Sequence, residues 1–161
     1  MLMLAMLLAA APPQPWVGMS AGPVFLHQSG RPGVGAGPMV RVEVGYPVAD
    51  RVSAEVWLTS SLESAPLRSP GDRALLAAGG GARLQISRLD SEGKLGLWLH
   101  GGAGWGVSVG GEGQQGPSGF GGALLTFQPF MKRFTVGLEA DAVAWRRTLG
   151  FAVLPSLRCT F

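Results

Sequence analysis

Leu149-Gly150-Phe151-Ala152-Val153-Leu154-Pro155-Ser156-Leu157-Arg158-Cys159-Thr160-Phe161 is the stretch that decides the fold. Its odd positions, Leu149, Phe151, Val153, Pro155, Leu157, Cys159 and Phe161, are all apolar. The even positions include Gly150, Ser156, Arg158 and Thr160. A period of two marks a strand with one apolar and one polar face. The stretch finishes on an aromatic residue within its own alternation, where a soluble domain usually trails off into polar residues.

Working outward, the same alternation recurs. The 161 residues are enough for one domain, with 47% hydrophobic and only 14% charged residues and 26 glycines. No apolar run long enough for a membrane helix follows the first residues. Strands of a membrane barrel reconcile the two facts, because alternation hides their hydrophobicity. The net charge of +3 is too small and too scattered for a nucleic-acid footprint. The single Cys159 forms no internal disulfide and reads as a small apolar residue on the outer face.

Eight alternating segments can be cut. The first is 16–25, blurred by Gly18 and Gly22, and a loop rich in Gly and Pro follows at 27–37. Val40, Val42, Val44 and Tyr46 then oppose Arg41 and Glu43. Pro47-Val48-Ala49-Asp50 reads as a turn, and Val52, Ala54, Val56 and Leu58 oppose Ser53, Glu55, Trp57 and Thr59. A polar loop at 60–72 precedes the fourth segment, 73–88, with Arg83, Gln85 and Ser87 on its polar face. A turn at 89–93 leads to the fifth, 94–109, where Trp98, His100 and Ser108 lie opposite Leu95, Leu97, Leu99, Ala103, Trp105, Val107 and Val109. After a loop at 110–117 come the sixth, 118–128, a turn at 129–132, and the seventh, where Phe134, Val136, Leu138, Ala140 and Ala142 oppose Thr135, Glu139 and Asp141. A tight connection at 146–148 joins the last two. Long connections thus follow segments one, three and five, and short ones follow two, four and six.

The charges give an internal test. Arg41, Glu43, Glu55, Arg83, Glu139, Asp141 and Arg158 all fall opposite the apolar set of their own segment. A bilayer demands this, since Arg or Lys on the lipid face near the midplane costs about 2–4 kcal/mol. The inner space of eight strands is just wide enough for side chains to fill. With His100 nearby, these ions are expected to pair across the lumen, closed further by Trp57, Trp98 and Gln85. A narrow polar path for a small solute is the other reading of the same residues. Tyr46, Phe127, Phe134 and Phe161 toward the turn side, and Trp105 toward the loop side, have outward parity and suit interfacial girdles.

Other motifs carry little. Gly106-Val107-Ser108-Val109-Gly110 matches a hydrolase nucleophile elbow, but that chemistry needs a strand-to-helix turn, and here a glycine-rich loop follows. Gly79-Gly80-Gly81 suits close packing in a strand rather than a phosphate loop. Two His and one Cys make no metal constellation, and no catalytic or cofactor-binding residues are assigned.

The terminal strand with alternating Leu157, Cys159 and Phe161 resembles the closing strand of bacterial outer-membrane β-barrels. Over residues 16–161 the pattern resembles the small eight-stranded OmpA-barrel and OmpX-like group. The resemblance implies an all-β, closed, antiparallel up-and-down transmembrane barrel in the outer membrane of a Gram-negative bacterium. It also implies that Leu157, Cys159 and Phe161 form the signal read by the barrel-assembly machinery. Both termini then lie at the short-turn, periplasmic end. Residues 1–15 read as a signal peptide and lead-in, its apolar core ending in Ala9-Ala10-Ala11, with an N-terminal helix packed on the domain as the alternative. Arg31, Arg68, Arg73, Arg146 and Arg147 collect at the opposite end, either to meet lipopolysaccharide phosphates or as solvated rim charges. The lipid A deacylase of the outer membrane is another eight-stranded barrel, with an outward His, Ser and Glu. His100 has inward parity and no Ser two residues on, so that match fails.

Three functions follow from one such fold. The first is a non-enzymatic structural or anchoring component of the envelope, alone or as a subunit of a larger cell-surface complex. The second is a narrow channel for small or hydrophobic solutes, and the third a lipid-modifying enzyme. The expected surroundings are outer-membrane lipid and lipopolysaccharide, with no cofactor and no nucleic acid.

Overall fold

A computed structural model of the chain describes residues 14–28, 34–63, 73–109, 114–129, 131 and 133–161. Eight strands follow one another: β1 Trp16–Gln28, β2 Gly35–Ala49, β3 Val52–Glu63, β4 Arg73–Arg88, β5 Leu95–Val109, β6 Gln115–Phe127, β7 Phe134–Trp145 and β8 Thr148–Thr160. Each pairs antiparallel with its neighbours, and β1 pairs with β8 to close the barrel. The closing register runs from Trp16 opposite Thr160 to Gln28 opposite Thr148. Phe161 N–H donates to the Pro15 carbonyl at 3.0 Å, which secures the terminal strand. Closure leaves no strand edge unpaired, the condition for backbone in a bilayer.

Alternation sets the two faces. Along β2, Val40, Val42, Val44 and Tyr46 are exposed on the perimeter, while Met39, Arg41, Glu43 and Gly45 are buried inside. Val42 is 41% exposed and the adjacent Arg41 is 0%. The same contrast separates Val56 and Leu58 from Glu55 and Trp57, and Leu138 from Glu139. A perimeter of large apolar side chains around an ionic centre inverts a water-soluble protein and suits a chain whose solvent is lipid. Among the described residues no helix is long and apolar enough to cross a membrane.

The strands outrun the sequence-based segments. β1 continues to Gln28 and β2 begins at Gly35, so both ends of the expected 27–37 loop are sheet. β3 reaches Glu63 and β6 starts at Gln115. Gly35, Gly37 and Pro38 have poor strand propensity, yet Gly37 stands opposite Val24 and Pro38 opposite Pro23. Pairing with a neighbour strand overrides local preference there. The expected Pro47–Asp50 turn is corrected as well: β2 runs to Ala49 with a bulge between Pro47 and Ala49, and the turn is 50–51. Connections at one end are therefore 29–34, 64–72, 110–114 and 146–147, against 50–51, 89–94 and 128–133 at the end holding the termini. The clear alternation of long and short expected from sequence shrinks to one long connection, 64–72.

In the 89–94 connection, Asp90 organises the turn. Its carboxylate accepts N–H groups from Leu95 at 2.7 Å and Lys94 at 3.0 Å, and Gly93 turns with φ of 70°. The Leu95 N–H, helped by that of Lys94, holds this carboxyl below the usual range against the opposing effect of desolvation.

Candidate functional site

Across the middle of the lumen the inward side chains of five strands meet. Arg41 from β2 donates through Nη1 to Asp141 Oδ2 at 2.7 Å and Glu139 Oε2 at 3.2 Å, both on β7. Arg83 from β4 bonds Glu43 of β2 and Glu55 of β3, and its Nη2 lies 4.0 Å from Glu139 Oε1. His100 Nε2 from β5 stands 2.7 Å from Asp141 Oδ1. Arg41, Glu43, Glu55, Arg83, His100, Glu139 and Asp141 are all buried. Such ions hold together only because each carboxylate meets a guanidinium or an imidazole; a lone one would cost several kcal/mol.

Arg158 departs from the expected network. Among the described residues it makes no ion pair with a carboxylate; its guanidinium lies over the Trp16 ring, 4.1 Å from the centroid. Arg83 shares that ring at 4.7 Å. Trp16 thus caps the network on the side of the termini, a cation–π role its place in the blurred first segment did not signal. On the other side the Phe120 ring lies 3.7 Å from the Arg41 guanidinium and meets Trp57 and His100 edge-on at 5.4 and 5.3 Å. Trp98 donates to Thr126 Oγ1 at 3.1 Å, and Thr126 donates to the Gly96 carbonyl at 3.2 Å. Inward glycines make room for these rings. A Cβ on Gly79 would run into the Ala103 carbonyl and the Trp57 ring, whereas one on outward Gly80 would meet only open space and the Glu55 carbonyl at 3.7 Å.

Three guanidinia face four carboxylates here, and the His100 ring stands beside Asp141. Glu43, His100 and Glu139 each place a ligand-type atom within 4.8 Å of the others, a grouping the residue count alone did not suggest. Arg41 Nη1 already stands among them, 3.8 Å from Glu43 Oε1 and 3.2 Å from Glu139 Oε2. The cation of that pocket is the guanidinium itself.

Toward the loop end the lumen turns apolar. Val24, Met39, Ala152 and Leu154 form a buried cluster, with Leu26 and Val143 against it. The parity of Met39 with Arg41, of Ala152 and Leu154 with Arg158 and of Val143 with Asp141 marks these four as inward, whereas Val24, Leu26 and Phe120 stand on strands without an inward ion. Ser108 also points inward here, and its Oγ accepts the Gln114 N–H at 3.1 Å. It sits within β5, not on a strand-to-helix turn.

Of the rim arginines, Arg31 and Arg68 lie outside the described residues, as does the Arg73 side chain. Arg146 and Arg147 form the exposed β7–β8 turn. Arg146 takes a positive φ of 51°, and its Nη1 donates to Gln114 Oε1 at 3.1 Å. Leu157 and Phe161 project outward at the terminus end, and Cys159 between them is half-buried. The expected signal segment falls outside the described residues.

No protein-family model matches the chain, and no curated protein sequence does. Solved structures match throughout its length. The barrel is similar to Neisserial surface protein A, with a TM-score of 0.71 at 15% identity, over 91% of this chain and 97% of that one. It is similar to Ail, the attachment invasion locus protein of Yersinia pestis, with a TM-score of 0.62 at 14% identity, over 94% of this chain and 100% of that one. The outer membrane protein OprG from Pseudomonas aeruginosa superposes with a TM-score of 0.58 at 8% identity, over 92% and 96% of the two chains. At these identities the likeness is one of fold: the closed eight-stranded antiparallel barrel expected from the alternation.

Proposed function

We propose that this chain is a Gram-negative outer-membrane barrel that serves as a non-enzymatic, non-conducting structural or anchoring element of the envelope. The observation that carries this reading is the plug. Arg41, Arg83, Glu43, Glu55, Glu139 and Asp141 fill the lumen at one level and are almost wholly buried. Ion pairs across a dry lumen leave no continuous water column for a solute. The apolar perimeter supports residence in lipid, and the fold supports the outer membrane in particular. Ser108 and His100 are both inward on β5, and His100 is bound to Asp141, so the residues that resemble hydrolase machinery do not assemble one.

Within this reading Leu157, Cys159 and Phe161 serve as the assembly label. Arg146 and Arg147, with Arg31, Arg68 and Arg73 expected from the sequence at the same end, form the basic rim that meets lipopolysaccharide phosphates. The deciding experiment is planar-bilayer recording on the refolded full chain. The expected trace stays at the level of the bare bilayer. Reproducible conductance steps that scale with salt would replace the structural role by a channel.

A further inference from the structure

The ladder that closes the barrel is broken once. Between β1 and β8 the register passes from Ser20 opposite Ser156 to Val24 opposite Ala152, with the same alignment on both sides. Residues 21–23 and 153–155 between them are unpaired across this seam. Among the described residues the other seven ladders have no such gap; β2–β3 and β4–β5 carry only single-residue bulges. Two prolines account for the break. Phe161 N–H donates to the Pro15 carbonyl, so the odd-numbered residues are the hydrogen-bonded ones in this ladder. Carried through the gap, the register sets Ala21 against Pro155 and Pro23 against Val153. Neither proline has an N–H to give. The Ala21 and Val153 carbonyls therefore each lose their ladder donor, at two successive bonded pairs.

Ala21, Pro23 and Pro155 are exposed on the lipid-facing perimeter, where no water replaces a missing N–H. The strands stay in contact even so: a Cβ on Gly22 would run into the Val153 carbonyl. Ser20, at the edge of the gap, adds a buried hydroxyl without a partner. Side chains hold the seam on either side of the gap. Toward the termini Arg158 lies over Trp16, and toward the loops Val24 shares a cluster with Ala152 and Leu154. We infer that the seam between β1 and β8 is an opening point, where the wall parts from the gap outward before any other pair of strands separates. The ring nitrogens of both prolines face the seam, on the two strands that are edges until the barrel closes. Proline on an edge discourages pairing with a foreign strand. The closed barrel keeps that protection as its weakest line. The inference does not rest on the structural role: conductance steps would overturn that role and leave the seam as it is.

The test uses the full chain refolded into phospholipid vesicles, with unfolding and refolding rates in urea read by tryptophan fluorescence. Pro155→Ala and Pro23→Ala each return one N–H to the seam. Each should slow unfolding roughly tenfold and leave refolding within about twofold, because the regained bond is already broken in the transition state. An alanine that regained no bond would act in the opposite sense, since proline restricts the unfolded chain. Gly79→Ala, which crowds β4 against β5, should instead slow refolding and leave unfolding within about twofold. If one proline variant does not fold, the other decides. Unfolding that is unchanged or faster in the proline variants overturns the inference. So does a gain confined to refolding, or unfolding of Gly79→Ala accelerated by about tenfold or more.

Discussion

Val42→Arg sets the strongest demand on the fold, because it moves a guanidinium by one residue from the inner face to the outer. Val42 is the eighth of the fifteen residues in β2. With a rise of about 3.3 Å per residue and a tilt of about 40°, each residue advances about 2.5 Å along the barrel axis. Seven residues on either side then extend about 18 Å from Val42, beyond the half-height of an apolar band about 25 Å tall. Val42 therefore lies near the midplane, flanked by Met19 on β1 and Leu58 on β3, both exposed on the same perimeter. Neither neighbour offers the new charge a partner. The expected loss is about 2–4 kcal/mol, or roughly 30-fold to several hundredfold in the folding equilibrium. Urea titration of refolding into lipid vesicles, read by heat-modifiable gel mobility, measures it. Asp50→Arg in the exposed β2–β3 turn is the control and should cost almost nothing. If the two variants agreed within about 0.5 kcal/mol, the outer face of β2 would not be in lipid, and the assigned parity would be wrong.

Arg41→Leu should cost about 3–5 kcal/mol, because it strands Asp141 and Glu139. Adding Asp141→Asn and Glu139→Gln should recover more than about 1 kcal/mol, and strict additivity in the same titration would show that these groups do not interact. Gly79→Ala should destabilise the barrel by about 1–3 kcal/mol through its collision with the Trp57 ring and the Ala103 carbonyl, while Gly80→Ala next to it should be near neutral; equal midpoints would contradict the inward packing. The Asp90 carboxyl titrates below its unfolded value, so its hold on the turn is present above the ordinary carboxylate range and lost as pH falls through the lower folded value. Amide exchange at Lys94 and Leu95 should accelerate at that low pH and not in mildly acidic buffer, and Asp90→Ala should abolish the transition. Phe161→Ala, which keeps the N–H bonded to Pro15, should lower the amount of barrel inserted in cells without changing its stability once refolded in vitro; unchanged insertion would remove the assembly role.

Much of this fold can be read directly where polarity contrasts with its neighbours. Arg41 beside Val42, Glu55 beside Val56 and Glu139 beside Leu138 fix the parity of three strands, and with it the plug. Where both faces are apolar the contrast vanishes. Ala152 and Leu154 sit between Phe151, Val153 and Pro155, and only counting from Arg158 shows that they point inward. The apolar cluster at the loop end is hard to read from sequence for that reason. Strand ends were equally obscure, because Gly35 to Pro38 has no local preference for sheet and is extended only by its partners on β1. The role of Trp16 depends on two arginines, on β4 and β8, that no local pattern brings near it.

The Arg41–Asp141 bond spans a hundred positions of the chain. While β2 waits for β7, its guanidinium has among the described residues only the Glu43 oxygen of its own strand, at 3.8 Å. Neutralisation and ring closure are consequently one event. A half-built sheet would carry bare charge against the bilayer, so intermediates are penalised and insertion is driven toward an all-or-none step.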